Sequence, residues 1–115
     1  MNEMKPPIDP VKAGLVFTLL QKASPGNEVQ STYDFDRSAQ FYRVATSGGL
    51  HHRVYVSKEF FDDHTVSEVQ SLLHRWKMLQ MVERAGARAV IVTNGGIEVP
   101  GMHLPILSDP TISQT

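Results

Sequence analysis

The spacing of apolar residues changes twice along this chain, and that change constrains the fold more than any other feature. Apolar residues recur every three or four positions from Pro10 to about Lys22, then on alternate positions from Val29 to Phe61, then every three or four positions again as far as about Ala85. A period near 3.6 is typical of a helix and a period of two is typical of a strand. The sequence therefore predicts a helix, a group of strands and a second helix.

The first predicted helix has a start signal in Asp9 and Pro10. An Asp side chain accepts a free backbone N–H of the first turn, and proline loses no hydrogen bond at the first helical position. Val11, Leu15 and Leu19 recur every four residues and predict one buried stripe, which Val16, Phe17 and Leu20 widen. A Pro-Gly pair shortly afterwards ends the helix.

Three segments with alternating apolar residues are predicted as strands. They contain Tyr33 and Phe35, then Tyr42 and Val44, then Leu50, His52, Val54 and Val56. Residues 36–38 and 47–49 lie between them and have turn composition, with a glycine pair in the second segment that adopts positive φ at no steric cost. We expect two or three of these strands to form an antiparallel meander.

The second predicted helix begins at a capping box, in which Thr65 and Glu68 satisfy each other's free backbone N–H groups. It runs to about Ala85 and stops at Gly86. One arc carries Val69, Leu72, Leu73, Trp76 and Leu79, whereas the apolar side then moves to Met78, Met81, Val82 and Ala85. Such a helix either crosses two layers or offers its second half to a partner.

Residues 88–93 are β-branched and predict a further strand, and residues 97–99 are a candidate for its returning partner. The predicted fold is α+β, a two-layer sandwich of order α-β-β-β-α-β(β), with an antiparallel meander sheet and helices on one face. A chain of 115 residues permits one domain, which we place at 9–100 between a flexible N-terminus, 1–8, and a loose tail, 101–115. The first five elements are similar in order to the double-stranded RNA binding domain. Glu68 replaces a lysine cluster at the start of the second helix, so no family is identified.

Composition excludes several classes of function. With 11 Lys and Arg against 12 Asp and Glu, the net charge of −1 excludes a protein that coats nucleic acid or an anionic membrane by bulk charge. The absence of cysteine removes thiol chemistry and Cys-ligated metals, and no apolar run is long enough to span a membrane. No motif for catalysis, a cofactor or a metal is found, and the adjacent His51 and His52 would point to opposite faces of a strand. We therefore expect a cytoplasmic protein that is not an enzyme and has no cofactor.

One stretch of the chain is purely basic, because no acidic residue lies between Asp36 and Glu59. This stretch would form a candidate nucleic-acid face, because its guanidinium groups can bind phosphates and its aromatic rings can stack on bases. Its candidate residues are Tyr42, Arg43, His51, Arg53, Tyr55 and Lys58. The alternative is a solvated sheet face whose charges pair with acids elsewhere.

The second half of the long helix is a candidate partner face, made of Lys77, Met78, Met81, Val82 and Arg84. Methionine is common at surfaces that accommodate partners, and a homodimer would bury this apolar group. The alternative is that the tail or the first helix covers it. The leading functional prediction is a small interaction or regulatory module that self-associates or binds another protein; the second is a nucleic-acid-binding protein.

Overall fold

The computed structural model describes residues 7–101 as four helices and five strands. In chain order they are α1 (Pro10–Ala23), β1 (Glu28–Asp34), β2 (Ala39–Ala45), β3 (His51–Ser57), α2 (Lys58–Asp63), α3 (Val66–Arg75), α4 (Met78–Ala85), β4 (Ala89–Thr93) and β5 (Gly96–Glu98). The predicted α+β class is confirmed. Of the predicted termini, residues 1–6 and 102–115 lie outside the described part of the chain.

The five strands form one sheet in the order β1-β2-β3-β4-β5. The meander of β1, β2 and β3 is antiparallel as predicted, and β5 returns antiparallel to β4. The sheet is nevertheless mixed, because β4 pairs parallel to β3. The chain leaves β3, passes through three helices and re-enters the sheet in the same direction, which is the connection that parallel strands require.

The helices lie on one face of the sheet, where α1, α2 and α4 contact its strands and α3 packs mainly against α1 and α4. The Tyr42 hydroxyl of β2 donates to the carbonyl of Ala13 in α1 at 2.8 Å, and Lys12 Nζ of α1 donates to the Phe61 carbonyl of α2 at 2.7 Å. The core between the two layers includes the fully buried side chains of Tyr42, Val44, Val54, Val56, Phe60, Phe61, Val69, Val90 and Val92. The other face of the sheet carries no described helix.

The Asp9 side chain caps α1 by accepting from the Val11 N–H at 2.9 Å, as the sequence predicts. The buried side of the helix agrees with the predicted stripe only in part. Val16 and Leu20 are buried, whereas Val11 is 64% exposed. Ile8 packs into the core, so order begins before the end of the predicted flexible segment.

The predicted long helix is two helices, α3 and α4, that meet at Trp76 and Lys77. The capping box of Thr65 and Glu68 is present at the start of α3, and Gly86 with φ +62° ends α4. Lys77 has a left-handed conformation, φ 57° and ψ 49°, which a continuous helix cannot contain. The break turns the chain so that both apolar arcs face the molecule's own interior.

The short helix α2 differs from the sequence-based prediction. Ser57 caps this short helix by accepting from the Phe60 N–H at 3.0 Å, and the Phe60 and Phe61 side chains are fully buried. The alternating pattern that runs to Phe61 instead predicts an extended strand region for this segment. Within residues 7–101, none of the helices has the length and apolarity needed to cross a membrane.

Candidate nucleic-acid interface

The face of the sheet turned away from the helices is called the open sheet face below. At its centre it carries Phe41 and Arg43 from β2 and His51, Arg53 and Tyr55 from β3. Alternate residues of these strands are buried on the helix side, which fixes the remaining ones on the open side. Further members are Gln30 and Thr32 of β1 and Ile91 of β4.

Arg43 and Arg53 lie directly opposite each other on neighbouring strands. In this ladder the Thr46 N–H donates to the Leu50 carbonyl and the Lys58 N–H to the Ser38 carbonyl. Because hydrogen-bonded and non-hydrogen-bonded pairs alternate, the two arginines form a non-hydrogen-bonded pair, in which side chains are closest. Like charges placed opposite each other in a sheet are destabilising. Their guanidinium groups avoid this contact by pointing apart, Arg43 toward Gln30 of β1 and Arg53 toward Ala87, which precedes β4.

The hydrogen-bond partners of these two guanidinium groups are neutral. Arg43 donates from Nη2 to the Gln30 side-chain carbonyl. Arg53 donates from Nε and Nη2 to the backbone carbonyl of Ala87 at 3.2 and 2.7 Å. The two ion pairs formed within residues 7–101 involve other cations. The positive charge at the centre of the open sheet face is thus not neutralised by a neighbouring carboxylate of the described chain.

Two aromatic rings lie beside the arginine pair. Phe41 and Tyr55 are opposite each other on β2 and β3, with ring centroids 4.9 Å apart and planes inclined by 38°. The Arg37 guanidinium lies 4.4 Å from the Tyr55 ring centroid and is 3.9 Å from an oxygen of Asp34. Neither Phe41 nor Arg37 was among the predicted candidates, although the alternation that places Arg43 outward also places Phe41 outward.

The structure removes two residues from the predicted nucleic-acid face. Tyr42 is fully buried under α1, and this burial raises the pKa of its hydroxyl. Its ring cannot stack on a base, because it belongs to the helix side of the sheet. Lys58 lies at the start of α2, where a hydrogen bond of 2.6 Å and the nearby charge of Asp62 raise its pKa. Its charge is therefore balanced within α2. Arg43, His51, Arg53 and Tyr55 do share the open sheet face.

The predicted partner face on the second helix is corrected in the same way. Met78 is 1% exposed and Met81 is 5% exposed, and both lie in the core with Val82. Lys77 and Arg84 are exposed beside them. A partner cannot contact the two methionines while this chain stays folded, because α4 already packs them against its own sheet.

The histidines near these elements are held by backbone carbonyls. His52 donates from Nδ1 to the Gly86 carbonyl at 2.9 Å, and His64 donates from Nδ1 to the Phe60 carbonyl at 2.8 Å. Each ring thereby has a fixed orientation, since a carbonyl can only accept. Over residues 7–101, no group of three or more His, Asp or Glu side chains is placed to hold a metal ion.

Comparison with models of known protein families, with curated proteins and with solved structures finds no significant match. The function is therefore inferred from the chemistry of the open sheet face.

Proposed function

We propose that this chain is a binding module that holds single-stranded nucleic acid on its open sheet face. The observation that carries the proposal is the pair of opposed arginines, Arg43 and Arg53, beside the paired rings of Phe41 and Tyr55. The hydrogen-bond partners of both guanidinium groups are neutral, so each positive charge is available for a charge-assisted hydrogen bond to a phosphate of the bound strand.

The aromatic rings are the reason why the proposed ligand is a single strand and not a duplex. Bases stack on aromatic side chains with about 1–3 kcal/mol per base, and this requires bases that are not already stacked in a duplex. Phe41 and Tyr55 lie next to Arg43 and Arg53 along their own strands, on a face without a described helix. Arg37 already covers part of the Tyr55 ring, and its planar guanidinium is itself a surface on which a base can stack.

Binding of a fluorescent oligonucleotide of about 12 nucleotides, followed by anisotropy at low salt, tests the proposal. We expect the single strand to bind more tightly than the same sequence as a duplex. Arg53→Ala and Tyr55→Ala should each weaken binding by about tenfold, since each removes one phosphate or stacking contact. Arg75→Ala is the matched control, because Arg75 is an exposed arginine on the helix layer.

Three outcomes would contradict the proposal. The first is that the oligonucleotide does not bind at low salt. The second is that Arg53→Ala and Arg75→Ala lower the affinity by the same factor. The third is binding of inorganic polyphosphate as tight as that of the oligonucleotide and equally unaffected by Tyr55→Ala. That last result would leave a general anion site without base stacking.

A further inference from the structure

The side chains of the open sheet face form rows that run across four neighbouring strands. Residues paired between neighbouring strands project to the same face, so each row continues from β1 to β4. The aromatic row, as it is called below, consists of Thr32, Phe41, Tyr55 and Ile91. The arginine row consists of Gln30, Arg43, Arg53 and Ala89. The two rows are adjacent, since their members lie two residues apart on every strand.

The positive charge of the arginine row is spread across the strands. Arg43 reaches toward β1, where it donates to the side-chain carbonyl of Gln30. Arg53 reaches toward the start of β4, where it donates to the backbone carbonyl of Ala87. The two guanidinium groups therefore diverge along the row and do not line up along one strand. A run of phosphates that follows these charges crosses the sheet.

The charges on the other side of the aromatic row do not favour a phosphate. The next outward residues there, from β1 to β4, are Asp34, Ala39, Ser57 and Thr93. Arg37 lies over the Tyr55 ring, but its charge is balanced by an Asp34 carboxylate oxygen 3.9 Å away. Phosphates are therefore attracted to the arginine row, and the bases joined to them reach the neighbouring aromatic row.

We infer that the bound single strand crosses the sheet from β1 to β4, with its phosphates over the arginine row and its bases over the aromatic row. The inference rests on the proposed function and adds to it a direction, a length and a further contact residue, Ile91. This side chain gives an apolar surface to the base at the β4 end of the row. Glu98 of β5 is paired with Ile91 on the same face, and its negative charge ends the path of an anionic strand there.

The crossing path sets the number of nucleotides in contact with the sheet. The strands β1 to β4 are neighbours in the sheet, and at about 4.8 Å between strands the rows are about 14 Å long. Stacked nucleotides rise by about 3.4 Å each, so about four of them cover a row. A path along β2 and β3 would instead follow strands of seven residues, or about 24 Å, and would contact about seven nucleotides.

Titration of the wild-type chain with oligothymidylates of about 2 to 10 nucleotides, followed by NMR at low salt, tests the length of the contact. We expect the affinity to rise steeply up to about four nucleotides and then only with the number of equivalent binding positions. A steep rise that continues to about seven nucleotides would overturn the crossing path and leave the proposed function in place. If no length binds, the proposed function fails as well.

Variants at the ends of the two possible paths test its direction. Ile91 ends the aromatic row, whereas His51 lies beyond Arg53 on β3, where only a path along that strand reaches it. Ile91→Ala should lower the affinity for an oligothymidylate by about fourfold, the equivalent of one methylene group buried against a base. His51→Ala should leave the affinity unchanged. Thr93→Ala, on the same strand and face as Ile91, is the matched control and should also leave it unchanged.

Two results with these variants contradict the crossing path. A loss of affinity in His51→Ala without a loss in Ile91→Ala means that the bound strand runs along β3. An equal loss in Ile91→Ala and Thr93→Ala means that the bases do not follow the aromatic row. The circular dichroism spectrum and melting temperature of each variant confirm that it is folded.

The charge of Glu98 gives a second measurement that leaves the aromatic row intact. Glu98→Gln should raise the affinity for the oligothymidylate by about twofold, because it removes a repulsion at the end of the path. Glu59→Gln is the matched control, since Glu59 is exposed on α2 in the helix layer, and it should leave the affinity unchanged. Equal effects of the two substitutions would show that only the overall charge matters, and the bound strand would then not end beside Glu98.

Discussion

The hydroxyl of Tyr42 lies between the sheet and α1, where it donates to the Ala13 carbonyl at 2.8 Å. Tyr42→Phe removes this donor and leaves the Ala13 carbonyl without the hydrogen bond from Tyr42. We expect the free energy of unfolding at neutral pH to fall by about 1 kcal/mol. Urea denaturation measures the change. Thr18→Ala is a suitable surface control, since Thr18 is exposed on the same helix that Tyr42 contacts.

The same residue makes stability depend on alkaline pH. Burial raises the pKa of Tyr42 in the folded chain, whereas in the unfolded chain it ionises near pH 10. The unfolded state therefore loses the proton first, and the stability due to this group is complete below about pH 10 and is lost as the pH rises further. We expect the wild type to lose stability above about pH 10 more steeply than Tyr42→Phe in urea titrations. If the free energy of unfolding of the wild type and of Tyr42→Phe falls with the same slope above pH 10, the proposed effect of Tyr42 is wrong.

Lys77 stores backbone strain, because its φ of 57° is unfavourable for a residue with a side chain. Lys77→Gly should raise the free energy of unfolding by up to about 1 kcal/mol, since the relief of strain outweighs the greater freedom of glycine in the unfolded chain. Lys77→Ala keeps the strain and should give no comparable gain. Thermal and urea denaturation of the two variants measure the difference.

At the scale of elements, α4 packs its apolar side on the molecule's own sheet. Met81→Ala should therefore lower the stability of the isolated chain by about 2–5 kcal/mol through the cavity that it leaves. The neighbouring exposed Gln80 gives the control, and Gln80→Ala should change stability by less than about 0.5 kcal/mol. The effect of Met81→Ala should not vary with protein concentration. A loss seen only at high concentration would indicate that Met81 lies in a dimer interface.

The ends of the elements are the part of the fold that could be predicted from the sequence. The Asp9 cap, the capping box of Thr65 and Glu68 and the stop at Gly86 each depend on a few adjacent residues. Local hydrogen bonding decides such features, so they are visible without tertiary structure. The turn at 47–49 is of the same kind, with Gly49 at φ +88°.

The break at Lys77 and the short helix α2 could not be predicted in this way. Lysine is an ordinary helix residue, and only the need to bury two different apolar arcs forces it into a left-handed conformation. The phenylalanines of α2 fit a strand or a helix equally well over so short a segment. Packing against distant elements decides both cases.

The candidate site could be predicted in part. The alternation of β3 correctly places Arg53 and Tyr55 on one face, and the same rule applied to β2 would have chosen Phe41 and rejected Tyr42. The opposition of Arg43 and Arg53 depends on the register between two strands. The spacing within each strand does not contain that information.

At the scale of the whole molecule, the net charge of −1 is an average that hides one basic stretch, since no acidic residue lies between Asp36 and Glu59. Because the cations of the proposed site are few, binding of a single strand should depend only moderately on salt. Two phosphate contacts, from Arg43 and Arg53, predict a slope of about −1.4 for the logarithm of affinity against the logarithm of salt concentration. Arg43→Ala should reduce the slope by about 0.7. An unchanged slope in anisotropy titrations would show that Arg43 does not contact a phosphate.

The parallel pairing of β3 with β4 also sets an order for folding. The hairpins from β1 to β3 join strands that are close in sequence, whereas β4 reaches β3 only after residues 58–88 have formed three helices. Contacts of this longer range carry a larger loop-closure cost and form more slowly. During synthesis from the N-terminus, the meander is therefore complete while the edge of β3 is still open. In that interval a nascent chain has two unprotected edges, and the arrival of β4 removes one of them.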